Sequence, residues 1–158
     1  MRPFEEVIAE HGDVVMRVCR ALLGQSDAED AWSEAFLAAL RAYPDLRPDS
    51  NVRGWLVTIA HRKAIDQLRS RSRRPIPDDG ITDVPARDAQ PVEPDEQLRE
   101  ALLTLPSKQR AAVVFHYLAD LPYAEVGALI ETSAAAARRN AADGIANLRL
   151  RYPKGTDR

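Results

Sequence analysis

The densest group of side chains that could bind a charged partner lies in residues 51–74. This stretch has seven basic side chains and one acidic side chain, a net charge of +6. The seven are Arg53, Arg62, Lys63, Arg69, Arg71, Arg73 and Arg74. Basic side chains at this density favour contacts with phosphates, which supply affinity for nucleic acid and make that affinity salt-dependent. Two alternatives stay open: the group can serve solubility alone, and Arg62 can pair with Asp66 one helical turn later.

Side chains for catalysis or metal binding are not grouped in this way. Cys19 is the sole cysteine, which excludes an internal disulfide and a multi-cysteine zinc site. The histidines His11, His61 and His116 share no metal-ligand spacing, so each is expected to be a surface or packing residue. No nucleophile–base set and no pair of catalytic carboxylates can be assembled. We therefore predict a protein that is not an enzyme and needs no metal or cofactor.

The rest of the charge is also divided into blocks. Residues 1–50 carry a net charge of −5, residues 75–97 a net charge of −6 and residues 98–158 a net charge of +3, within a total of −2. Because local charge sets which partner docks where, the blocks indicate several charged partners, although solvated faces give the same pattern. No run approaches the roughly 20 apolar residues of a membrane-spanning helix, and the first six residues lack the apolar core of a signal peptide. A cytoplasmic protein without membrane insertion is expected.

Helices are the elements that must position these side chains. Apolar residues recur at helical spacing in three N-terminal stretches: Phe4–Leu23, with a break near Gly12 left open, a helix from Ser26 to about Ala42, and Val52–Arg73. Ser26 and Glu29 have the spacing of a capping box for the second helix. Trp55 is expected in the core rather than as a stacking platform.

Five of the eleven prolines, and almost no large apolar residues, fall in the acidic stretch that ends at Pro94. Such a segment cannot bury enough surface to offset its ordering entropy, and proline keeps it extended. We therefore predict an all-α chain with two small helical domains, residues 1–74 and 95–158. An acidic, proline-rich linker, residues 75–94, joins them.

The C-terminal domain has the helical spacing of a helix-turn-helix. Its predicted helices are Asp95–Leu105, Ser107–Leu118, Tyr123–Ile130 and Ser133–Arg151. In a helix-turn-helix one helix braces the next, and that next helix lies in the DNA major groove. An ordinary three-helix bundle has the same spacing, so both interpretations stay open at this point. Arg138 and Arg139 fall on the helix side opposite its apolar residues and are predicted to face outward.

Three sets of short motifs follow one another along the chain. The first is Asp27-Ala28-Glu29-Asp30 with Glu34-Ala35-Phe36-Leu37; the second is Trp55-Leu56, Ile59-Ala60, Ala64-Ile65-Asp66 and Leu68-Arg69; the third is Leu105-Pro106, Gln109-Arg110 and Tyr123-Ala124-Glu125-Val126. In this order they resemble the polymerase-docking helix, the promoter-melting helix and the C-terminal domain of bacterial RNA polymerase sigma factors. The resemblance is to the small extracytoplasmic-function (ECF) group of the sigma-70 family, and it covers roughly residues 4–73 and 98–151.

The resemblance implies a transcription initiation factor with three kinds of site. Core polymerase, through the clamp helices of its largest subunit, would be met by Asp27, Asp30, Glu34 and Phe36. The minus-ten promoter element would be read and melted by Asn51 and the seven basic residues of 51–74. The minus-thirty-five element would be read by Ser133, Arg138, Arg139, Ala142 and Asp143. Asn51 can equally be the N-cap of its helix.

The implied partners are core RNA polymerase (clamp helices and flap), promoter DNA and an anti-sigma protein. In the family the acidic linker passes through a basic polymerase channel, and a soluble spacer has the same composition. Two other functions stay open. A sigma-like decoy would bind an anti-sigma protein without touching DNA, which leaves the +6 charge of residues 51–74 unexplained. A stand-alone helix-turn-helix regulator would not bind core polymerase.

The chain departs from the family pattern at several positions. Ser33 stands where glutamine is usual, Arg62 where asparagine is common, and Glu131 in a turn that usually has glycine. The last helix has fewer basic side chains than the family's recognition helix. We therefore expect Arg138 and Arg139 to make most of the direct contact with upstream DNA.

Overall fold

The computed structural model describes residues 2–73 and 94–151. Seven α-helices and no strand occupy these two ranges: α1 (Phe4–Leu23), α2 (Gln25–Ala42), α3 (Val52–Arg73), α4 (Pro94–Leu103), α5 (Ser107–Val113), α6 (Tyr123–Leu129) and α7 (Ala134–Arg151). A 3-10 turn, Tyr43–Asp45, follows α2, and a π-helical turn, Val114–Leu118, continues α5. The all-α prediction is confirmed for this part of the chain. Residues 75–93 of the predicted linker lie outside the described residues.

Helices α1, α2 and α3 pack against one another and form the N-terminal bundle. On α2 the buried stripe consists mainly of alanines: Ala28, Ala31, Ala35 and Ala39. Small side chains allow close approach, and larger residues of α1 and α3 supply the buried volume, among them Val15, Leu22 and Leu56. Phe36 completes the bundle at one end, where its ring lies 4.6 Å from that of Trp32 and 6.2 Å from that of Phe4, centroid to centroid.

A single glycine joins α1 to α2. Gly24 has φ = +81°, and its N–H donates to the Arg20 carbonyl at 3.0 Å, which closes the last turn of α1. The Gly24 carbonyl accepts from the Ala28 N–H at 3.1 Å, so α2 begins at Gln25. Ser26 therefore lies inside the first turn, and no side chain caps α2. The predicted capping box is wrong because the glycine starts α2 earlier than Ser26 would.

Helices α4 to α7 form the C-terminal bundle, in which α7 crosses α5 and α6. A Cβ on Gly144 of α7 would lie 2.7 Å from Val113 Cγ2 on α5, so α7 can approach α5 this closely only with glycine there. Ala137, Ala141 and Leu148 continue the buried side of α7. This packing confirms the predicted helical spacing of the C-terminal region.

The turn between α6 and α7 closes tightly. Glu131 has φ = +62°, and the Thr132 N–H donates to the Gly127 carbonyl at 2.8 Å. A left-handed residue followed by this hydrogen bond is the Schellman way of ending a helix, and glycine is usual at the left-handed position. A Cβ on Gly127 would lie 2.7 Å from the Thr132 carbonyl oxygen. Glycine at 127 therefore permits the turn, and Glu131 adopts a strained conformation in it.

The predicted helix Ser107–Leu118 is present, but its last part is wider than an α-helix. The Ala119 N–H donates to the Val114 carbonyl at 3.1 Å, five residues back, in the π-helical pattern. Asp120 follows with φ = +60° and turns the chain toward α6. A π turn is not expected from apolar spacing alone, because it shifts the helix phase by only one residue.

The two bundles are in contact. Helix α1 packs against α4 and the π turn, and α3 packs against α6. The buried apolar residues of both bundles form one connected cluster. The described structure is therefore a closed arrangement, in which the N-terminal and C-terminal bundles touch along α1 and α3.

Candidate partner and nucleic-acid interfaces

The outer face of α2 carries exposed acids beside exposed leucines. Asp30 and Glu34 are exposed. Leu37 and Leu40, on the same face, are 53% and 50% exposed. Contiguous exposed apolar side chains rimmed by polar residues are a feature of surfaces that bind other proteins. We call Asp30, Glu34, Leu37 and Leu40 the α2 face.

Two other predicted contact residues of α2 do not belong to this face. Asp27 is half-buried and has a partner within the chain. Phe36 is 5% exposed and packs inside the N-terminal bundle, so it positions α2 rather than touching a partner. The sequence motif predicted the helix correctly but not which apolar residues point outward. Helical phase relative to the alanine stripe would have placed Leu37 and Leu40 outside.

The basic residues of α3 do not all face the same way. Arg62 and Arg69 are exposed, and Lys63 is half-buried. No ion pair joins Arg62 to Asp66 within the described ranges, so the predicted alternative of a local pair is wrong. Arg71 and Arg73 lie on the described backbone of α3, without described side chains, and Arg74 lies outside the described residues.

Arg53 points to the C-terminal bundle instead of to solvent. Its Nη1 donates to the Ala119 carbonyl at 3.3 Å and lies 3.9 Å from Asp120 Oδ2. On α1, Arg17 Nη1 donates to the Leu118 carbonyl at 2.9 Å. The side chains of Arg17 and Arg53 thus both contact residues 118–120, at the end of the π turn.

Asn51 caps α3. Its Oδ1 accepts from the Gly54 N–H at 3.0 Å, while its backbone carbonyl accepts from the Trp55 N–H at 3.0 Å. This is the geometry of an Asn N-cap. Of the two roles open for Asn51, the structure shows the cap; capture of a promoter base stays a prediction. Trp55 is half-buried against the core, its ring 6.3 Å from that of Tyr43, as expected.

The predicted reading side of α7 is exposed. Ser133 caps the helix, with its Oγ accepting from the Ala136 N–H at 3.0 Å. Arg138, Arg139, Ala142 and Asp143 are exposed, opposite the buried residues of the helix. The outward direction of both arginines is therefore confirmed, and Arg138, Arg139, Ala142 and Asp143 lie on the exposed side of α7. Contact of that face with DNA stays a prediction.

Cys19 and His11 lie in packing positions. Burial raises the pKa of the Cys19 thiol to about 12. Burial is also the largest cause that lowers the pKa of His11, which is 6% exposed. No group of three or more His, Cys, Asp or Glu residues in residues 2–73 and 94–151 is arranged to hold a metal ion. No helix in these ranges is both long and apolar enough to cross a membrane.

Comparison with known families assigns both bundles. Residues 7–74 match Sigma-70 region 2, and residues 95–148 match Sigma-70, region 4. The ECF RNA polymerase sigma factor SigE of Mycolicibacterium smegmatis is 34% identical over 140 residues, which cover 82% of this chain and 54% of SigE. The RNA polymerase sigma factor CarQ of Myxococcus xanthus is 33% identical over 152 residues, 92% of this chain and 87% of CarQ. The chain spans about half the length of several curated relatives that it matches, SigE among them.

The fold is shared with a solved sigma factor structure. The co-crystal structure of the sigma factor RpoE in complex with the anti-sigma factor NepR from Bartonella quintana superposes with a TM-score of 0.72. Sequence identity is 18%, and the likeness covers 98% of both chains. At this identity the likeness shows the fold alone.

The two family matches cover most of the chain in the order that the sequence motifs predicted. The chain belongs to the sigma-70 family of RNA polymerase sigma factors, and within it to the ECF group.

Proposed function

We propose that the chain is an alternative sigma factor that binds core RNA polymerase and directs promoter recognition and opening. The observation that carries this proposal is the ordered pair of family matches, region 2 on the N-terminal bundle and region 4 on the C-terminal bundle. Residues 1–74 would serve polymerase binding and the minus-ten element, and residues 95–158 the minus-thirty-five element. Residues 75–94 would act as the acidic linker between them.

Core polymerase would dock on the α2 face. Asp30 and Glu34 supply negative charge for the basic clamp helices, and opposite charges across an interface speed encounter and exclude wrong partners. Leu37 and Leu40 add apolar area, which contributes about 25 cal/mol for each Å² removed from water. The two acids were predicted from the sequence, and the exposure of the two leucines supplies the apolar centre that a stable interface needs.

Promoter DNA would contact the basic side of α3 and the exposed side of α7. Arg62 and Arg69 are exposed and free to meet phosphates, which positions the chain without reading sequence. Arg138 and Arg139 lie on α7, where arginines can bind guanine through two hydrogen bonds. The cap role of Asn51 leaves its Nδ2 amide as the group that would meet a flipped base.

An anti-sigma protein is the proposed regulatory partner. The support is the RpoE–NepR complex, in which a sigma factor of the same fold is bound to an anti-sigma factor. The chain itself would not be an enzyme, because nucleotide transfer belongs to the polymerase. It would act in the cytoplasm, where the polymerase is.

Co-purification with core polymerase, followed by run-off transcription, tests the proposed function. The chain should form a stoichiometric complex with core enzyme and should start transcription at promoters that core enzyme alone ignores. A decoy would bind neither core enzyme nor DNA. A stand-alone regulator would bind DNA without core enzyme. Either result would reject the proposal.

A further inference from the structure

A stack of three side chains connects α7 to the start of α6. The imidazole of His116 stacks on the ring of Tyr123, with centroids 3.8 Å apart and planes 14° from parallel. The guanidinium carbon of Arg138 lies over the same Tyr123 ring, 4.9 Å from its centroid. Arg138 is thus held against an aromatic face while its residue remains exposed.

The lower part of the stack is fixed by the backbone. His116 Nδ1–H donates to the Leu121 carbonyl at 2.9 Å, so the imidazole cannot rotate freely. Tyr123 is the first residue of α6, and α6 packs against α7. Burial and a hydrogen bond with the side chain of Tyr117 raise the pKa of the Tyr123 phenol.

An aromatic ring in this place restricts an arginine. A free arginine side chain samples many rotamers and loses that freedom on binding DNA. A cation over an aromatic face is attracted by the ring quadrupole, which favours one direction of the side chain before DNA arrives. Arg139, its neighbour, has no such contact in the described structure.

We propose that Tyr123, supported by His116, is a positioning residue that orients Arg138 for reading one base pair of the upstream element. This rests on the proposed function, because it assumes that α7 reads DNA. It assigns Arg138 to base readout, and it leaves Arg139 as the less ordered of the two arginines, suited to a phosphate.

The test compares holoenzymes that carry Tyr123→Leu, Tyr123→Phe, Arg138→Ala and the double variant Tyr123→Leu plus Arg138→Ala. Each is measured for binding to a promoter and to the same promoter with single base-pair changes in the upstream element. Tyr123→Leu should lower discrimination at one base pair by roughly two- to fivefold, and Tyr123→Phe, which keeps the ring, should not. In the Arg138→Ala background Tyr123→Leu should have no further effect.

Two results would overturn the positioning role. If Arg138→Ala lowers discrimination while Tyr123→Leu does not, the ring does not position the arginine and the proposed function stands. If neither changes discrimination, α7 is not the reader, and both the positioning role and the upstream assignment fail. Should Tyr123→Leu not fold, His116→Leu removes the supporting ring instead, and it must lower discrimination at the same base pair.

The contact between the bundles carries a second proposal independently. Arg17 and Arg53 donate to the Leu118 and Ala119 carbonyls at 2.9 and 3.3 Å, and Arg53 also lies 3.9 Å from Asp120. The last carbonyls of a helix lack donors within the helix, and its C-terminal end attracts positive charge. Two arginines of the N-terminal bundle therefore meet the end of the C-terminal bundle that best accepts them.

The closed arrangement cannot occupy a whole promoter. Elements centred near minus ten and minus thirty-five are separated by about 25 base pairs, or roughly 85 Å at 3.4 Å for each pair. A compact chain of 158 residues has a radius of gyration of only about 15 Å. The bundles must therefore separate before each can reach its element, and Arg53 must leave Ala119 before it can meet DNA.

We infer that Arg17 and Arg53 form a latch that holds the free chain closed. Only the purpose of opening, which is to let each bundle reach its promoter element, rests on the proposed function. Closure itself is a property of the free chain. Small-angle X-ray scattering of the full chain tests it without polymerase or DNA. The unmodified chain should have the smaller radius of gyration, and Arg17→Ala plus Arg53→Ala should raise it by several ångströms.

Arg20→Ala is the matched control, because Arg20 lies one turn from Arg17 on α1 and its exposed side chain makes no hydrogen bond or ion pair in the described structure. It should leave the radius unchanged. A double variant as compact as the unmodified chain would overturn the latch, and so would an unmodified chain that is already extended. Circular dichroism must show unchanged helix content in both variants. If the double variant loses helix, Arg17→Ala alone replaces it, with the same criterion.

Discussion

The imidazole of His61 on α3 packs edge-on against the ring of Phe115 on the π turn, with centroids 5.2 Å apart and planes at 66°. This is an aromatic contact between the two bundles. Burial, followed by the charges of Arg110 and Arg62, lowers the pKa of His61 from 6.5 to about 4. Its buried Nε2 has no hydrogen-bond partner in the described structure. The closed arrangement therefore favours the neutral form of His61.

Closure should weaken as the pH falls from about 6.5 to about 4. Above this window His61 is neutral in both forms. Within it the open form takes up a proton that the closed form excludes, so acid favours opening. The other charged groups that line the cleft around His61 are Arg62, Asp66, Arg69, Lys108 and Arg110. The radius of gyration of the full chain should rise between pH 7.5 and pH 5, and His61→Phe should remove that rise. An equal rise in the variant would show that another group titrates.

Glu131→Gly should stabilise the chain. Glu131 has φ = +62°, and its side chain makes no hydrogen bond or ion pair in the described structure. A residue other than glycine in the left-handed conformation costs about 1–2 kcal/mol. Each 1 kcal/mol of this cost that is removed should raise the melting temperature by roughly 2–4 °C. Thermal unfolding measures this change in melting temperature. Glu100→Gly, inside α4, is the control and should lower the melting temperature.

Gly127→Ala should destabilise the C-terminal bundle. The added Cβ would lie 2.7 Å from the Thr132 carbonyl oxygen, and backbone has to move to accept it. Overpacking of this kind costs about 1–3 kcal/mol. Gly54→Ala is the control, because its Cβ would meet only the Asn51 side chain at 3.5 Å and alanine favours helix. Denaturant unfolding should therefore show changes in the free energy of unfolding that have opposite signs in the two variants. A decrease of equal size in both would contradict the close approach at Gly127.

Substitutions on the α2 face should weaken polymerase binding without unfolding the chain. Glu34→Arg should bring like charges together, which costs several kcal/mol across an interface. Leu37→Asp should remove apolar area from the same face, and the 53% exposure of Leu37 keeps the cost to folding small. Affinity for core enzyme measured by fluorescence anisotropy tests both. Glu5→Arg, an exposed acid on α1, should bind as the unmodified chain does; unchanged affinity for all three would reject the α2 face.

Asn51→Ser separates the two roles of Asn51. Serine also caps helices, so stability should change by less than about 1 kcal/mol, whereas Asn51→Ala should lose roughly 1 kcal/mol. Serine lacks the amide donor that would meet a flipped base. Permanganate reactivity of unpaired thymines measures promoter opening. If Asn51 captures a base, promoter opening should fall with both variants. If promoter opening falls only with Asn51→Ala, the variant that loses stability, Asn51 acts as a cap alone.

Local pattern was enough to predict most helix bounds. Phe4–Leu23 and Val52–Arg73 lie where the apolar spacing put them, since Gly24 and Asn51 mark their ends. The capping box at Ser26 was wrong because two local signals competed there, and the left-handed Gly24 starts the helix first. The outward direction of Leu37 was also missed, because Phe36 next to it is equally apolar and only the phase of the alanine stripe distinguishes them.

The contacts between the bundles could not be predicted from sequence. They join residues that are far apart along the chain, such as Arg17 and Leu118. The acceptors are backbone carbonyls, which no residue type reveals. The stack of Arg138 on Tyr123 was hidden for a related reason: the sequence placed Arg138 outward, but not over a particular ring.

Cys19 gives the folded chain a practical property. It is the sole cysteine, it is 0% exposed, and burial raises its pKa to about 12. Maleimides and related dyes react with exposed thiolates, so at neutral pH they should leave Cys19 unmodified. One cysteine introduced on each bundle can then be labelled without removing the native residue, and the distance between the two dyes can be followed in the otherwise unmodified chain.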